Sequence, residues 1–106
     1  LLVTTDMERG LGQQVAGATL YPHSAAWARL GDADAVRTFA AQASREALAC
    51  GIHVTYSPVA DVDRNPANPI IGARAFGSDP DEAGRLAAAF VAGVHDAGQF
   101  ATAKHF

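Results

Sequence analysis

Residues 32–59 read DADAVRTFAAQASREALACGIHVTYSPV, and this stretch decides the fold. Val36, Phe39, Ala40, Ala43, Ala47 and Leu48 recur at helical spacing behind Asp32, whose side chain suits a helix N-cap, and Asp34, which falls in the positive first turn. Gly51 stops that helix. Residues 52–59, IHVTYSPV, follow at once and are rich in β-branched and aromatic side chains, so they read as a strand. A helix is thus joined to a strand by one glycine.

The same join recurs downstream. Asp79, Pro80 and Glu82 form a strong helix start, with Asp79 as N-cap, Pro80 at the first helical position and Glu82 in the capping-box place. Ala83, Leu86, Ala87, Phe90, Val91 and Val94 trace an apolar stripe until Gly98 closes it, and residues 100–106, FATAKHF, form another strand-like run. Upstream, residues 1–5, LLVTT, read as a buried strand ending at Asp6, and residues 7–22, with three glycines and no period, read as loop. Strands alternating with helices imply parallel pairing through crossovers and an α/β fold. The expectation is a partial (β/α)8 barrel, about three strands and two helices of it, since a whole barrel needs about 250 residues. Residues 1–106 then form a fragment of one barrel domain, a reading that the missing initiator methionine favours.

Composition excludes several classes of function. The 8 basic against 11 acidic residues give a formal charge of -3 and no cationic surface for nucleic acid. The single cysteine, Cys50, makes no internal disulfide, and no CxxC spacing occurs. No apolar run reaches the ~18–20 residues of a membrane span, and the N-terminus lacks a signal-peptide pattern. Asp61, Asp63 and Asn65 mimic a calcium loop, but Pro66 and Gly72 stand where glycine and glutamate are needed, so no metal is expected. Gly10, Gly12 and Gly17 miss the dinucleotide spacing, and no cofactor is expected. The compartment stays open.

What remains is the asymmetry of the joins. Both helix-to-strand joins are minimal, whereas both strand-to-helix joins are long and polar, and barrel chemistry sits on the loops after strand C-termini. The longest, residues 57–80, holds four of the five prolines and reads as a working loop. The three strands end in Asp6, Asp61 and the pair Lys104 and His105, so ionisable groups converge on one face, where carboxylate and ammonium suit a polyhydroxylated ligand. Lys104 and His105 are adjacent, so both reach one site only through a bulge or a non-proline cis peptide. Arg74 lies deep in the long loop, either ordering it by a salt bridge or touching ligand. His23 and His53 read as packing or surface residues, and His95 and Asp96 as solvent-facing. A rival reading makes Lys104 the Schiff-base amine of a class I aldolase, which requires an apolar surround that Asp6 and Asp61 would deny it. A non-catalytic carbohydrate-binding barrel module is a second alternative.

The pieces TTDMERG, PVADVDRNPANPIIGARAFGSDP and ATAKHF, in this order and at this spacing, resemble the N-terminal barrel domain of family 3 glycoside hydrolases, which includes β-glucosidases and β-N-acetylhexosaminidases. The resemblance implies a retaining, exo-acting β-glycosidase in which Asp6, Arg74, Lys104 and His105 bind the sugar and Asp61 supports the site. It also implies that the aspartate nucleophile and the acid/base group lie downstream of Phe106, so that this chain contributes no catalytic residue and is inactive alone. Its partners would be a carbohydrate substrate and the rest of the barrel, with room for a C-terminal domain. Two positions depart from the family pattern: Arg9 stands where glycine is common, and Gln14 where hexosaminidases often have arginine, which leaves N-acetylhexosaminide and glucoside both open.

Overall fold

The computed structural model describes residues 1–105. Three short strands, β1 (Thr4–Thr5), β2 (Val54–Thr55) and β3 (Phe100–Ala101), form a parallel sheet in the order β1-β2-β3. Thr4 pairs with Val54 and Val54 with Phe100, and the next row is Thr5, Thr55 and Ala101. Helices α1 (Ser24–Leu30) and α2 (Ala33–Ala49) lie between β1 and β2 in the chain, and α3 (Pro80–Asp96) lies between β2 and β3.

The two long helices follow their sequence signals. Asp32 accepts the backbone N–H groups of Asp34 and Ala35 at 2.9 and 3.1 Å, and Asp79 accepts that of Glu82 at 2.8 Å. Each satisfies donors that the first helical turn leaves without partners. Gly51 and Gly98 have φ of 79° and 86°, the left-handed conformation that ends a helix cheaply only in glycine. The capping box is incomplete, because the Glu82 carboxylate turns to Arg85 at 2.6 Å rather than back to Asp79.

Helices α2 and α3 pack against each other through Val36, Phe39, Ala40, Leu86, Phe90 and Val94, and Phe76 of the long loop completes that core. Their approach depends on Gly93: a Cβ there would stand 2.2 Å from the Arg37 carbonyl oxygen on α2. A smaller cluster of Met7, Leu11, Ala47 and Ile52 fixes the loop after β1 against α2.

Four expectations need correction. Helix α1 was not anticipated, and the described residues form three α-helices rather than two. It is one short segment, and its N-cap, His23, makes no side-chain cap bond, so no starting signal marks it. Second, the strands are shorter than 1–5, 52–59 and 100–106. Pairing resumes beyond β2 only at a bridge between Val59 and Lys104, and Phe106 lies outside the described residues. Third, Leu1, Leu2 and Val3 are exposed in this three-stranded sheet, where β1 is the edge. Fourth, the loops are not featureless, for single 3-10 turns occur at Leu11–Gln13 and Gly72–Arg74.

Candidate functional site

The C-terminal ends of the three strands deliver the charged residues to one place. After β1 the chain runs through Asp6, Met7 and Glu8. Met7 is buried in the smaller core cluster, while the carboxylates of Asp6 and Glu8 both reach Lys104. That division follows from the alternation of side chains along extended backbone. After β2, the Val59–Lys104 bridge and the bond from the Ala60 N–H to the Lys104 carbonyl, 2.6 Å, register the start of the long loop against the end of the third strand run. The peptide between Lys104 and His105 is cis, and both side chains line the same cleft. The sequence required an irregularity there, and this is the one the structure contains.

Lys104 Nζ donates to Asp6 Oδ1 at 2.5 Å and lies 2.7 Å from Glu8 Oε1. β1 and β3 are not neighbours, so this pair spans β2 rather than joining adjacent strands. Arg74 grips Glu8 with both arms of its fork, Nη2 to Oε1 at 2.8 Å and Nε to Oε2 at 3.0 Å. A second amine bonds the Ile70 carbonyl at 3.1 Å, and Nη2 lies 3.3 Å from His105 Nε2. Arg74 therefore orders its loop and also lines the cleft. Its reach is toward Glu8 and His105, not toward Asp6 and Lys104 directly.

Asp61 plays a different part. Its Oδ2 accepts the His105 backbone N–H at 2.9 Å and lies 2.6 Å from His105 Nδ1, so it fixes the imidazole and leaves Nε2 facing Arg74 and the cleft. Asp61 does not line the cleft itself.

Glu8, which the sequence reading passed over, is the hub. It is only 8% exposed, and a buried carboxylate needs opposite charge around it. Burial alone would raise its pKa, but hydrogen bonds from Arg74 and Lys104 and the positive charge of both outweigh burial and bring it down to about 2. The Asp61 carboxyl likewise falls below its ordinary value, because the bonds and charge from His105 exceed the opposing effect of burial. Glu8 holds the Arg74 guanidinium above its ordinary range. These cations and carboxylates neutralise one another in pairs while keeping edges toward an open cleft of about 460 Å³.

The cleft continues past this cluster to Arg9, Gln13, Gln14 and His23. Gln14 is occupied, its amide donating to the Asp6 carbonyl at 3.1 Å, so it steadies the backbone that carries Asp6. His53 serves packing, its Nδ1 accepting the Val3 N–H at 3.2 Å. His95 and Asp96 are exposed as anticipated, and Asp96 pairs with Arg37 at 2.6 Å. Among the described residues no group of three or more His, Cys, Asp or Glu side chains is arranged to hold a metal ion, and no helix is long and apolar enough to cross a membrane.

The family described as "Glycosyl hydrolase family 3 N terminal domain" matches residues 1–106, the whole chain. The chain belongs to glycosyl hydrolase family 3. It is 39% identical, over its full length, to a beta-N-acetylglucosaminidase/beta-glucosidase of Cellulomonas fimi, of which it covers 19%, and 34% identical to a beta-hexosaminidase of Idiomarina loihiensis, of which it covers 33%. Its structure superposes with a TM-score of 0.93 on a family 3 beta-N-acetylglucosaminidase from a Paenibacillus species, at 36% identity, covering all of this chain and 20% of that one. The chain thus spans about a fifth to a third of the length of these relatives. Its parallel strands and crossover helices are one part of the family 3 barrel, as the alternation of elements implied.

Proposed function

We propose that this chain is the sugar-binding part of a retaining, exo-acting β-glycosidase that hydrolyses O-glycosyl bonds. The observation that carries the reading is the cluster itself. Asp6, Lys104, Arg74 and His105, drawn from three separate loops and strand ends, line one cleft around the buried Glu8. Carboxylate, ammonium, guanidinium and imidazole in fixed positions offer acceptors and donors to several hydroxyls at once, and bonds with a charged partner are the strong ones. Asp6 and Lys104 contact the sugar, Arg74 and His105 complete the subsite, and Asp61 holds His105.

The carboxylates of the cluster, Asp6, Glu8 and Asp61, are each held by a cationic or imidazole partner and lack the freedom of a glycosidase pair. Glu8 is buried between two cations, and Asp61 is engaged by His105. A retaining enzyme needs one carboxylate free to attack the anomeric carbon and a second group to move the proton. We place both downstream of Phe106, in the remainder of the barrel or a further domain. The names of the relatives support both N-acetylhexosaminide and glucoside as substrates.

The aldolase alternative fits the site poorly. Lys104 donates to two carboxylates, and an ammonium so engaged has no lone pair to offer a carbonyl. Assays of the intact protein with aryl β-glucoside and aryl β-N-acetylglucosaminide test the reading. Turnover of at least one is expected, with retention at the anomeric carbon, and the 106-residue chain by itself releases no aryl alcohol. Turnover by the chain alone would refute the placement of the catalytic groups, and inertness of the intact protein toward every β-glycoside would favour the non-catalytic binding module.

A further inference from the structure

The cleft holds one cation that the sugar-binding cluster does not use. Arg9 is clamped at both ends of the residue: its backbone carbonyl accepts the Tyr21 N–H at 2.9 Å, and its Nε donates to the Tyr21 carbonyl at 3.1 Å. Its backbone N–H bonds Gln13 Oε1 at 3.2 Å. Tyr21 is anchored in turn against Phe39 of the main core, with ring centroids 5.2 Å apart. The guanidinium is therefore held in place through a single nitrogen. Among the described residues its two terminal amines make no hydrogen bond or ion pair, although the side chain is half-buried and lines the cleft.

The charge of the cleft points the same way. Its lining carries two carboxylates, Asp6 and Glu8, against three permanent cations, Arg9, Arg74 and Lys104. Lys104 and Arg74 are matched to those carboxylates. Arg9 is the excess cation, and His23 and Gln13 line the cleft with it. A planar fork with two free amines matches an oxyanion bidentately, which lysine does not reproduce.

We propose that Arg9 is a specificity-determining residue that receives an oxyanion, a carboxylate or phosphate, beside the sugar bound at Asp6 and Lys104. The acidic group belongs either to the substrate or to a free anion that enters with it. This rests on the glycosidase reading for the identity of the neighbouring sugar, but not for the anion site itself.

The test uses the intact protein and two non-hydrolysable thioglycosides of N-acetylglucosamine, one with a para-carboxyphenyl and one with a para-carbamoylphenyl aglycone. These have nearly the same shape and differ in charge. Calorimetry is expected to show the carboxylate bound about tenfold more tightly, in keeping with one added charged hydrogen-bond pair. Arg9→Gln brings the ratio to about one, and Arg9→Lys retains part of the preference because the charge is kept. A ratio is read, so a general loss of stability in a variant does not mimic the effect. Inorganic phosphate separates the sources: competition against the carboxylate ligand alone identifies a free oxyanion, and absence of competition identifies an acidic group carried on the glycoside. Equal binding of the two glycosides by the wild type, or a preference that persists in Arg9→Gln, would overturn the proposal. If neither thioglycoside binds, N-acetylglucosamine is not the sugar recognised, and direct phosphate binding decides the anion site: loss of that binding in Arg9→Gln upholds it, and no phosphate binding by the wild type overturns it.

Discussion

Glu8 Oε1 lies 2.7 Å from Lys104 Nζ, although the two residues are separated by nearly the whole chain and sit beyond strands that do not touch. With Arg74 also bound to it, this carboxylate ties the loop after β1, the long loop after β2 and the end of the third strand run into one unit. The site is therefore held together by electrostatics at its centre and by hydrophobic packing only at its back.

Removing the hub exposes that dependence. Glu8→Gln leaves Arg74 and Lys104 without their shared counter-charge, and breaking a buried pair in this way costs about 3–5 kcal/mol. The intact protein should lose several degrees in Tm, and its kcat/KM toward aryl β-glycosides should fall steeply because Arg74 and Lys104 lose their positions. An unchanged Tm and kcat/KM would show that the cluster is not the brace described.

The same carboxylate sets an acid limit. A carboxyl whose folded pKa lies below its unfolded value contributes stability above the unfolded value and loses it as pH falls through the folded one. For Glu8 those values are 4.5 and about 2, so its contribution disappears between them. The lowered Asp61 carboxyl acts in the same sense. Acid unfolding followed by circular dichroism should show a Glu8→Gln protein with a weaker pH dependence than wild type across that window.

In the proposed sugar subsite, Asp61 acts through His105, which it holds by the ring and the backbone. Asp61→Ala frees the ring and the His105 backbone N–H, whose bonds are 2.6 and 2.9 Å. Loss of bonds worth about 1.5–3 kcal/mol to a charged acceptor predicts a kcat/KM lower by roughly ten- to a hundredfold. Because Asp61 makes no other side-chain hydrogen bond or ion pair among the described residues, Tm should change much less than for Glu8→Gln.

Gly93 tests the scaffold apart from the site. A Cβ at 2.2 Å from the Arg37 carbonyl oxygen forces α2 and α3 apart, and overpacking of this type costs typically 1–3 kcal/mol or more. Gly93→Ala should lower Tm, whereas alanine at Gly84, where an added Cβ meets nothing, should not.

How much of this was legible beforehand divides by range of interaction. Asp32, Gly51, Asp79 and Gly98 act within a turn of backbone, so helix limits could be read from residue types alone. Asp6, Lys104 and His105 were legible because barrel topology sends strand ends to one face, and Arg74 only through the family resemblance; all four line one cleft, whereas Asp61, read by the same strand-end argument, does not. Glu8 was not, because its meaning depends on Arg74 and Lys104, which lie far along the chain. The spacing Asp6-Met7-Glu8, with the apolar residue turned inward and two carboxylates outward, was the available signal. Gly93 was hidden for a related reason, since it interrupts an apolar stripe whose partner helix is α2. The Thr4, Val54 and Phe100 row remains open to solvent here, with Phe100 63% exposed, and in a closed barrel such rows are covered by the strands opposite.

The central claim is that Asp6 and Lys104 bind sugar through charged contacts that tighten in the transition state. Its most direct test is kcat/KM of the intact protein carrying Asp6→Ala, measured with an aryl β-N-acetylglucosaminide and an aryl β-glucoside. The account predicts a fall of at least about a hundredfold toward whichever glycoside the wild type hydrolyses, as expected for losing one or two charged hydrogen bonds to substrate. Kinetics close to wild type would contradict it.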